Sequence, residues 1–288
     1  MNFNDFKKQF HINLTSQQEE AVQAVEGPVL LLSVPGSGKT TVLVTRIGWM
    51  IHGCGIKPES ILVLTYTVAA AHDMERRFAS KFGEELGKRV HFSTINSICH
   101  QIIHWYAGVT GNTVFKFSDY SPKQAAFLSQ AYTKTSGGYA TESDLQDIRT
   151  QITFIKNMML SEKEIDALND EFDYDIAGIY RGYKAFMRQQ HLMDYDDQLV
   201  YALVMLRSDP RVLGHMQEKF KYVLVDEAQD TSKIQHVIIS MIAKTEKSDN
   251  LFMVGDEDQS IYGFRGAYPE ALMSFQKIHD GAKVLLME

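Results

Sequence analysis

The sequence predicts an α/β fold: a parallel sheet covered by helices on both faces and interrupted by a helical insertion. Three observations carry this. Six short apolar runs lack strict apolar–polar alternation, as strands buried on both faces do. Helical segments follow most of them, which is the order of βαβ units. That order fails between about residues 110 and 195, where four helix-like stretches occur and no convincing buried strand does.

In chain order, the strand runs are Val29–Leu32, Ile61–Leu64, Val90–Phe92, Tyr222–Val225, Leu251–Val254 and Val284–Leu286. The helical segments are Thr40–His52 stopping at Gly53, Val68–Phe82 stopping at Gly83, Ile95–Ala107 stopping at Gly108, and Thr231–Ala243. Glycine just past the last turn is the usual stop signal. The insertion reads as Pro122–Thr133, Ser143–Met159, Ser161–Asn169 and Ile176–Gln190, with Ser161 and Glu164 forming a capping-box pair. The expected division is therefore 1–109 and 194–288 as the two parts of one α/β domain, with 110–193 as an all-helical subdomain.

A chain of 288 residues can bury a sizeable core. No apolar run approaches the roughly 20 residues of a membrane span, and residues 1–8 hold no apolar signal core. Two cysteines, Cys54 and Cys99, point to a reducing, cytoplasmic setting without a disulfide framework. A net charge of -7 excludes a generally basic nucleic-acid binder, but not a local groove that uses stacking and a few cations.

The run Ser33-Val34-Pro35-Gly36-Ser37-Gly38-Lys39-Thr40-Thr41 follows an apolar strand and opens a helix. That is the context of a phosphate-binding loop. Small residues let backbone N–H groups curl around phosphate oxygens, and the helix start points its positive dipole end at the same anion. Lys39 can reach the β- and γ-phosphates, and the Thr40 hydroxyl can bind Mg²⁺. The first loop position, usually Gly or Ala, is Ser33, which is small enough to fit. The ligand expected here is ATP with Mg²⁺.

Tyr222–Val225 ends in Asp226-Glu227-Ala228-Gln229-Asp230-Thr231. On a strand beside the phosphate loop, Asp226 belongs in the Mg²⁺ shell, and Glu227 can orient or deprotonate the attacking water. Acids at a strand end can also be a helix N-cap cluster; the phosphate loop tips the reading to a nucleotide hydrolase. A third strand runs into the loop 255–267, where Gln259 is a neutral partner for the γ-phosphate. Tyr262 and Phe264 in so polar a loop offer base-stacking faces, although one ring anchoring the loop to the core is the simpler role.

These motifs, in this order, resemble the UvrD/Rep-like superfamily 1 DNA helicases over nearly the whole chain, and only loosely in the insertion. The segment 14–22 resembles the family's Q motif, with the adenine-reading glutamine on Gln18, an amide that both donates and accepts. Leu64-Thr65-Tyr66-Thr67 is similar to motif Ia, with Tyr66 in the aromatic place and Val68-Ala69 replacing a polar pair. Ser93-Thr94-Ile95-Asn96-Ser97 resembles the Thr-Phe-His-Ser motif with Asn96 for His. Met193-Asp194-Tyr195-Asp196-Asp197 resembles the Asp-Phe-Asp-Asp segment and reads as structural. Motifs II and III fall on 226–231 and 255–267, with Phe264 where Trp is common.

The resemblance implies a P-loop NTPase (RecA-like) fold with Lys39, Asp226, Glu227 and Gln259 as the catalytic set. It also implies ATP on Gln18 and 33–41, and Mg²⁺ on Thr40 and Asp226. Single-stranded DNA would lie on Thr65, Tyr66, Asn96, Tyr262, Phe264 and Arg265, and translocation would run 3′ to 5′. The family's second RecA-like domain, with its Asn-Tyr-Arg-Ser motif, is missing after Glu288. The expected chain is thus an N-terminal portion of a helicase, weak or inactive alone. The rivals are a helicase–nuclease subunit and a non-catalytic, nucleotide-gated DNA-binding module. Cys99, His100 and His104 share a predicted helix and are expected to serve its packing rather than zinc, and Met158 and Met159 to fill core.

Overall fold

The computed structural model describes residues 1–256, 267–268 and 270–288. Six strands form the main sheet: β1 (Val29–Ser33), β2 (Ile61–Thr65), β3 (His91–Thr94), β6 (Tyr222–Val225), β7 (Leu251–Gly255) and β8 (Lys283–Met287). Their order is β3-β2-β6-β7-β1-β8, and every pairing is parallel. All C-terminal strand ends therefore open on one edge.

The apolar runs lack alternation because each residue in turn enters a different core. Leu30, Leu62, Leu64, Val223, Val225, Leu251 and Met253 face one cluster. Val29, Leu31, Ile61, Val63, Leu224, Phe252 and Val254 face the other, across the sheet. Helices Ile95–Thr110, Tyr195–Ser208 and Lys233–Ala243 cover the first face. Helices Phe3–Gln9, Ser16–Gln23, Lys39–His52 and Val68–Phe82 cover the second. Strands so covered bury several fully apolar side chains each, worth roughly 1.5–3 kcal/mol apiece before entropy is charged against them.

Residues 122–189 build a third cluster on Leu128, Ile148, Ile152, Ile155, Ile176 and Ile179. Its helices are Pro122–Ser136, Glu142–Met158, Glu162–Ala167 and Ile176–Gln189, with the Ser161–Glu164 capping box formed as expected. At the neck lies a ladder not anticipated from sequence: β4 (Lys116–Phe117) pairs parallel with β5 (Leu192–Met193). Strands of two residues carry no periodicity to read. The helix from Ile95 passes through Gly108 and stops at Gly111, which takes the left-handed φ of 72° that ends a helix. The last long helix starts at Lys233, because Ser232 forms the capping box with Gln235 while Thr231 belongs to the preceding turn.

Candidate functional site: a phosphate loop facing paired carboxylates

The loop 34–38 leaves β1 at the open sheet edge. Ser33 is buried there, its hydroxyl 3.4 Å from the Gly255 carbonyl at the end of β7. Gly36 and Gly38 have φ of 79° and 93°, which lets the backbone turn inward. Elsewhere in the chain, Thr15, Thr67, Thr94, Ser161 and Asp194 cap their helices with side-chain oxygens. The helix Lys39–His52 has Gly38 at its N-cap and no side-chain cap. Its first-turn N–H groups, on Lys39, Thr40 and Thr41, are thus left for an external acceptor.

Gln18 sits beside this loop. Its amide N–H donates to the Ser37 carbonyl at 2.9 Å, and its amide oxygen accepts the Thr15 N–H at 3.0 Å within the helix cap. Capping and loop contact are therefore both true of Gln18. One N–H and one lone pair of the amide remain for a base edge. Val34, Pro35 and Ser37 complete the wall; the Val34 N–H donates to the Met287 carbonyl of β8.

Asp226 and Glu227 follow β6, the second strand from β1 in the sheet order. Lys39 Nζ lies 2.9 Å from Glu227 Oε2. Gln229 Nε2 donates to the same oxygen at 2.8 Å, and Gln229 Oε1 accepts the Asp256 N–H at 3.1 Å. Gln229 thus bridges β6 and β7, a role that its place in the motif does not reveal. Glu227 adopts a left-handed backbone, φ 49° and ψ 48°, which costs a non-glycine residue on the order of 1–2 kcal/mol. Burial alone pushes the Glu227 carboxyl up, but Gln229 and Lys39 outweigh it and hold it below the ordinary range.

Asp226 behaves oppositely. Burial, then the Glu227 charge, push its carboxyl up to about 6, against the opposing Glu227 N–H and Lys39. A buried acid so raised is short of positive charge. Its hard oxygens and the Thr40 hydroxyl are the donor type Mg²⁺ takes alongside phosphates. Asp230 is also pushed up, by burial and then by Glu227.

Among the expected DNA residues, Thr65, Tyr66 and Asn96 line one cleft of about 1200 Å³ between the α/β body and the insertion. Tyr66 is 38% exposed. The same cleft is lined by Phe117 and Tyr195, whose rings meet edge-on at 4.6 Å, and by Arg149 over Tyr120 at 3.7 Å. The segment read as structural thus splits by residue: Asp194 and Asp197 pair with buried Lys156, while Tyr195 stays half-exposed in the cleft. Gln259, Tyr262, Phe264 and Arg265 lie outside the described residues. Cys99 is buried in the core, but His100 and His104 are exposed, their tilted rings 4.1 Å apart, so they do not serve packing. Among the described residues no group of three or more metal-ligating side chains occurs.

Residues 14–280 match the model of the UvrD/REP helicase N-terminal domain. The chain is 32% identical over 277 residues to the ATP-dependent DNA helicase PcrA of Leuconostoc citreum, covering 96% of this chain and 36% of that protein. It is equally similar, 32% over 278 residues, to the putative ATP-dependent DNA helicase YjcD of Bacillus subtilis (strain 168), covering 96% and 36%. The PcrA of Staphylococcus epidermidis (strain ATCC 12228 / FDA PCI 1200) gives 32% over 280 residues, covering 96% and 37%. The chain therefore spans about a third of the length of these relatives. A match over residues 14–280 places the chain in the UvrD/REP helicase N-terminal domain family.

Proposed function

We propose that this chain is the ATP-binding portion of an ATP-dependent DNA helicase that moves 3′ to 5′ on single-stranded DNA. The observation that carries the reading is the meeting of Lys39, Asp226 and Glu227 beside a loop whose helix start is left uncapped. Residues 1–109 and 194–288 form the RecA-like body, 110–193 the insertion, and a second RecA-like domain completes the site. The cytoplasm is the expected compartment, and no helix among the described residues is long and apolar enough to cross a membrane.

The phosphates compete with Glu227 for Lys39. Charge-assisted contact with a triphosphate is worth roughly 1.5–3 kcal/mol per bond, enough to draw Lys39 off a carboxylate. Losing Lys39 raises the Glu227 carboxyl toward the range a general base needs. Gln229 keeps its hold and aims the freed carboxylate. Thr40 and Asp226 would hold Mg²⁺, which supplies charge neutralisation at the β- and γ-oxygens. Thr65, Tyr66 and Asn96 offer stacking and hydrogen bonds to an unpaired strand, joined by Tyr262, Phe264 and Arg265. Gln259 would report the γ-phosphate to that loop.

Glu227→Gln tests the chemistry in the DNA-stimulated helicase that carries this chain. It keeps shape and hydrogen bonding but removes the base, so ATP binding persists and phosphate release falls by roughly two to four orders of magnitude. Unchanged turnover would remove Glu227 from the role of base.

A further inference from the structure

Arg46 is 2% exposed, and among the described residues no carboxylate forms an ion pair with it, although the Glu26 charge favours its charged form. Its guanidinium lies over the Phe252 ring of β7 at 4.0 Å. Nη1 donates to the Ala21 carbonyl at 2.7 Å and Nη2 to the Val25 carbonyl at 3.3 Å, while Nε has no hydrogen-bond partner among the described residues. Burial brings the guanidinium down to about 9, so the fold tolerates a costly cation at a place where an apolar side chain would pack more cheaply.

Its contacts show what the cation does. Ala21 lies one turn after Gln18 in the helix Ser16–Gln23, and Val25 follows its end. A helix of eight residues does not persist on its own propensity. The Thr15–Gln18 capping box holds its start, and Arg46 takes a carbonyl of its last turn. Arg46 itself stands two turns beyond Lys39 on the phosphate-loop helix. The fork therefore fixes the Gln18 helix against the Lys39 helix, and the stacked face fixes both against the strand that leads to Asp256.

We propose that Arg46 is the positioning residue for base recognition: its guanidinium clamps the Gln18 helix to the phosphate-loop helix and so sets where the Gln18 amide meets the nucleobase. This rests on Gln18 reading adenine. Arg46 touches no nucleotide; it acts through Ala21, Val25 and Phe252. Contacts to the phosphates come from other residues, so the clamp governs which base is accepted rather than whether a triphosphate is.

The test is competition of ATP and of GTP against a fluorescent ATP analogue on this chain. Two amide hydrogen bonds predict roughly tenfold preference for ATP in the wild type. Arg46→Met keeps bulk and removes the fork. It is expected to bring the preference to within about twofold of unity by weakening ATP while GTP binds as before. A preference that survives in Arg46→Met, or ATP and GTP weakened alike, overturns the assignment. Gln18→Ala separates the two ideas. If it abolishes the preference and Arg46→Met does not, the Arg46 assignment alone falls. If it leaves the preference intact, the adenine reading falls and takes the clamp with it. Should Arg46→Met not fold, Arg46→Lys decides: lysine keeps the charge but has neither the fork nor the planar face. A reduced preference supports the clamp, and a wild-type preference overturns it.

Discussion

Replacing Lys156 with Met isolates the joint between the insertion and the α/β body. Lys156 belongs to the helix Glu142–Met158, is 5% exposed, and lies 2.9 Å from Asp194 and 2.7 Å from Asp197 at the start of the helix Tyr195–Ser208. Asp196, beside them, is held by Thr153 and Asn157 at 2.7 Å each. Although burial opposes it, the ring of Asp194, Asp197 and Asp196 keeps the Lys156 ammonium well above its ordinary range. Its stability contribution is thus present at every pH below that range. Burial already pushes the Asp196 and Asp197 carboxyls up with the lysine in place. Without it, their charges are buried and uncompensated, which costs about 3–5 kcal/mol. At roughly 2–4 °C per kcal/mol for a chain somewhat under this size, the melting temperature falls by about 10 °C. The sign of the pH effect follows. Carboxyls raised above their unfolded values lose stability as pH rises through that gap, so Lys156→Met regains part of its deficit between pH 7.5 and pH 5. Urea unfolding followed by circular dichroism at both pH values measures this. A deficit under 1 kcal/mol at pH 7.5, or one equal at the two pH values, refutes the reasoning.

Two further outcomes follow from the same structure. His236 is buried, with Nε2 2.6 Å from the Thr231 hydroxyl, and burial brings its imidazole down to about 4. A depressed folded value means stability present above about 6.5 and lost as pH falls toward 4, on the order of 3 kcal/mol in full; His236→Gln is expected to flatten that acid limb in thermal melts, and an unchanged limb contradicts it. On the DNA side, Phe264→Ala in the carrying helicase is expected to weaken single-strand binding by roughly 1–3 kcal/mol with little change in salt slope, whereas Arg265→Ala flattens the slope if it meets a phosphate; anisotropy across salt concentrations separates them, and no effect of either at any salt removes the loop from the DNA surface.

The sheet was legible because each strand carries its own evidence. Leu30 and Leu31 enter opposite cores, so covered faces show as unbroken apolar runs. Val68–Phe82 is legible to the residue because Gly83 ends it. Gly108 misled because a helix tolerates glycine, and only Gly111 takes the left-handed turn. The β4–β5 ladder joins residues about 75 apart in sequence, a pairing no local pattern encodes. In the site, Lys39 and Asp226 stand in motifs of fixed chemistry. Arg46 does not, since a single arginine in an apolar helix gives no sign that it will cap another helix. The same holds for Lys156, whose partners lie 38 residues on. Gln229 stands in a motif too, but its bridge from Glu227 to Asp256 exists only once β6 and β7 are neighbours.

Calorimetric titration of Mg·ATP into this chain and into Lys39→Ala tests the central claim most directly. In the proposed function Lys39 passes from Glu227 to the phosphates, so its loss is expected to remove a contact worth roughly 1.5–3 kcal/mol, about a ten- to hundredfold weaker dissociation constant. Binding by the wild type, weakened by that factor in the variant, is the predicted result. Equal affinities for the two proteins would take Lys39 out of the phosphate site and with it the reading of this sheet edge as an ATP site.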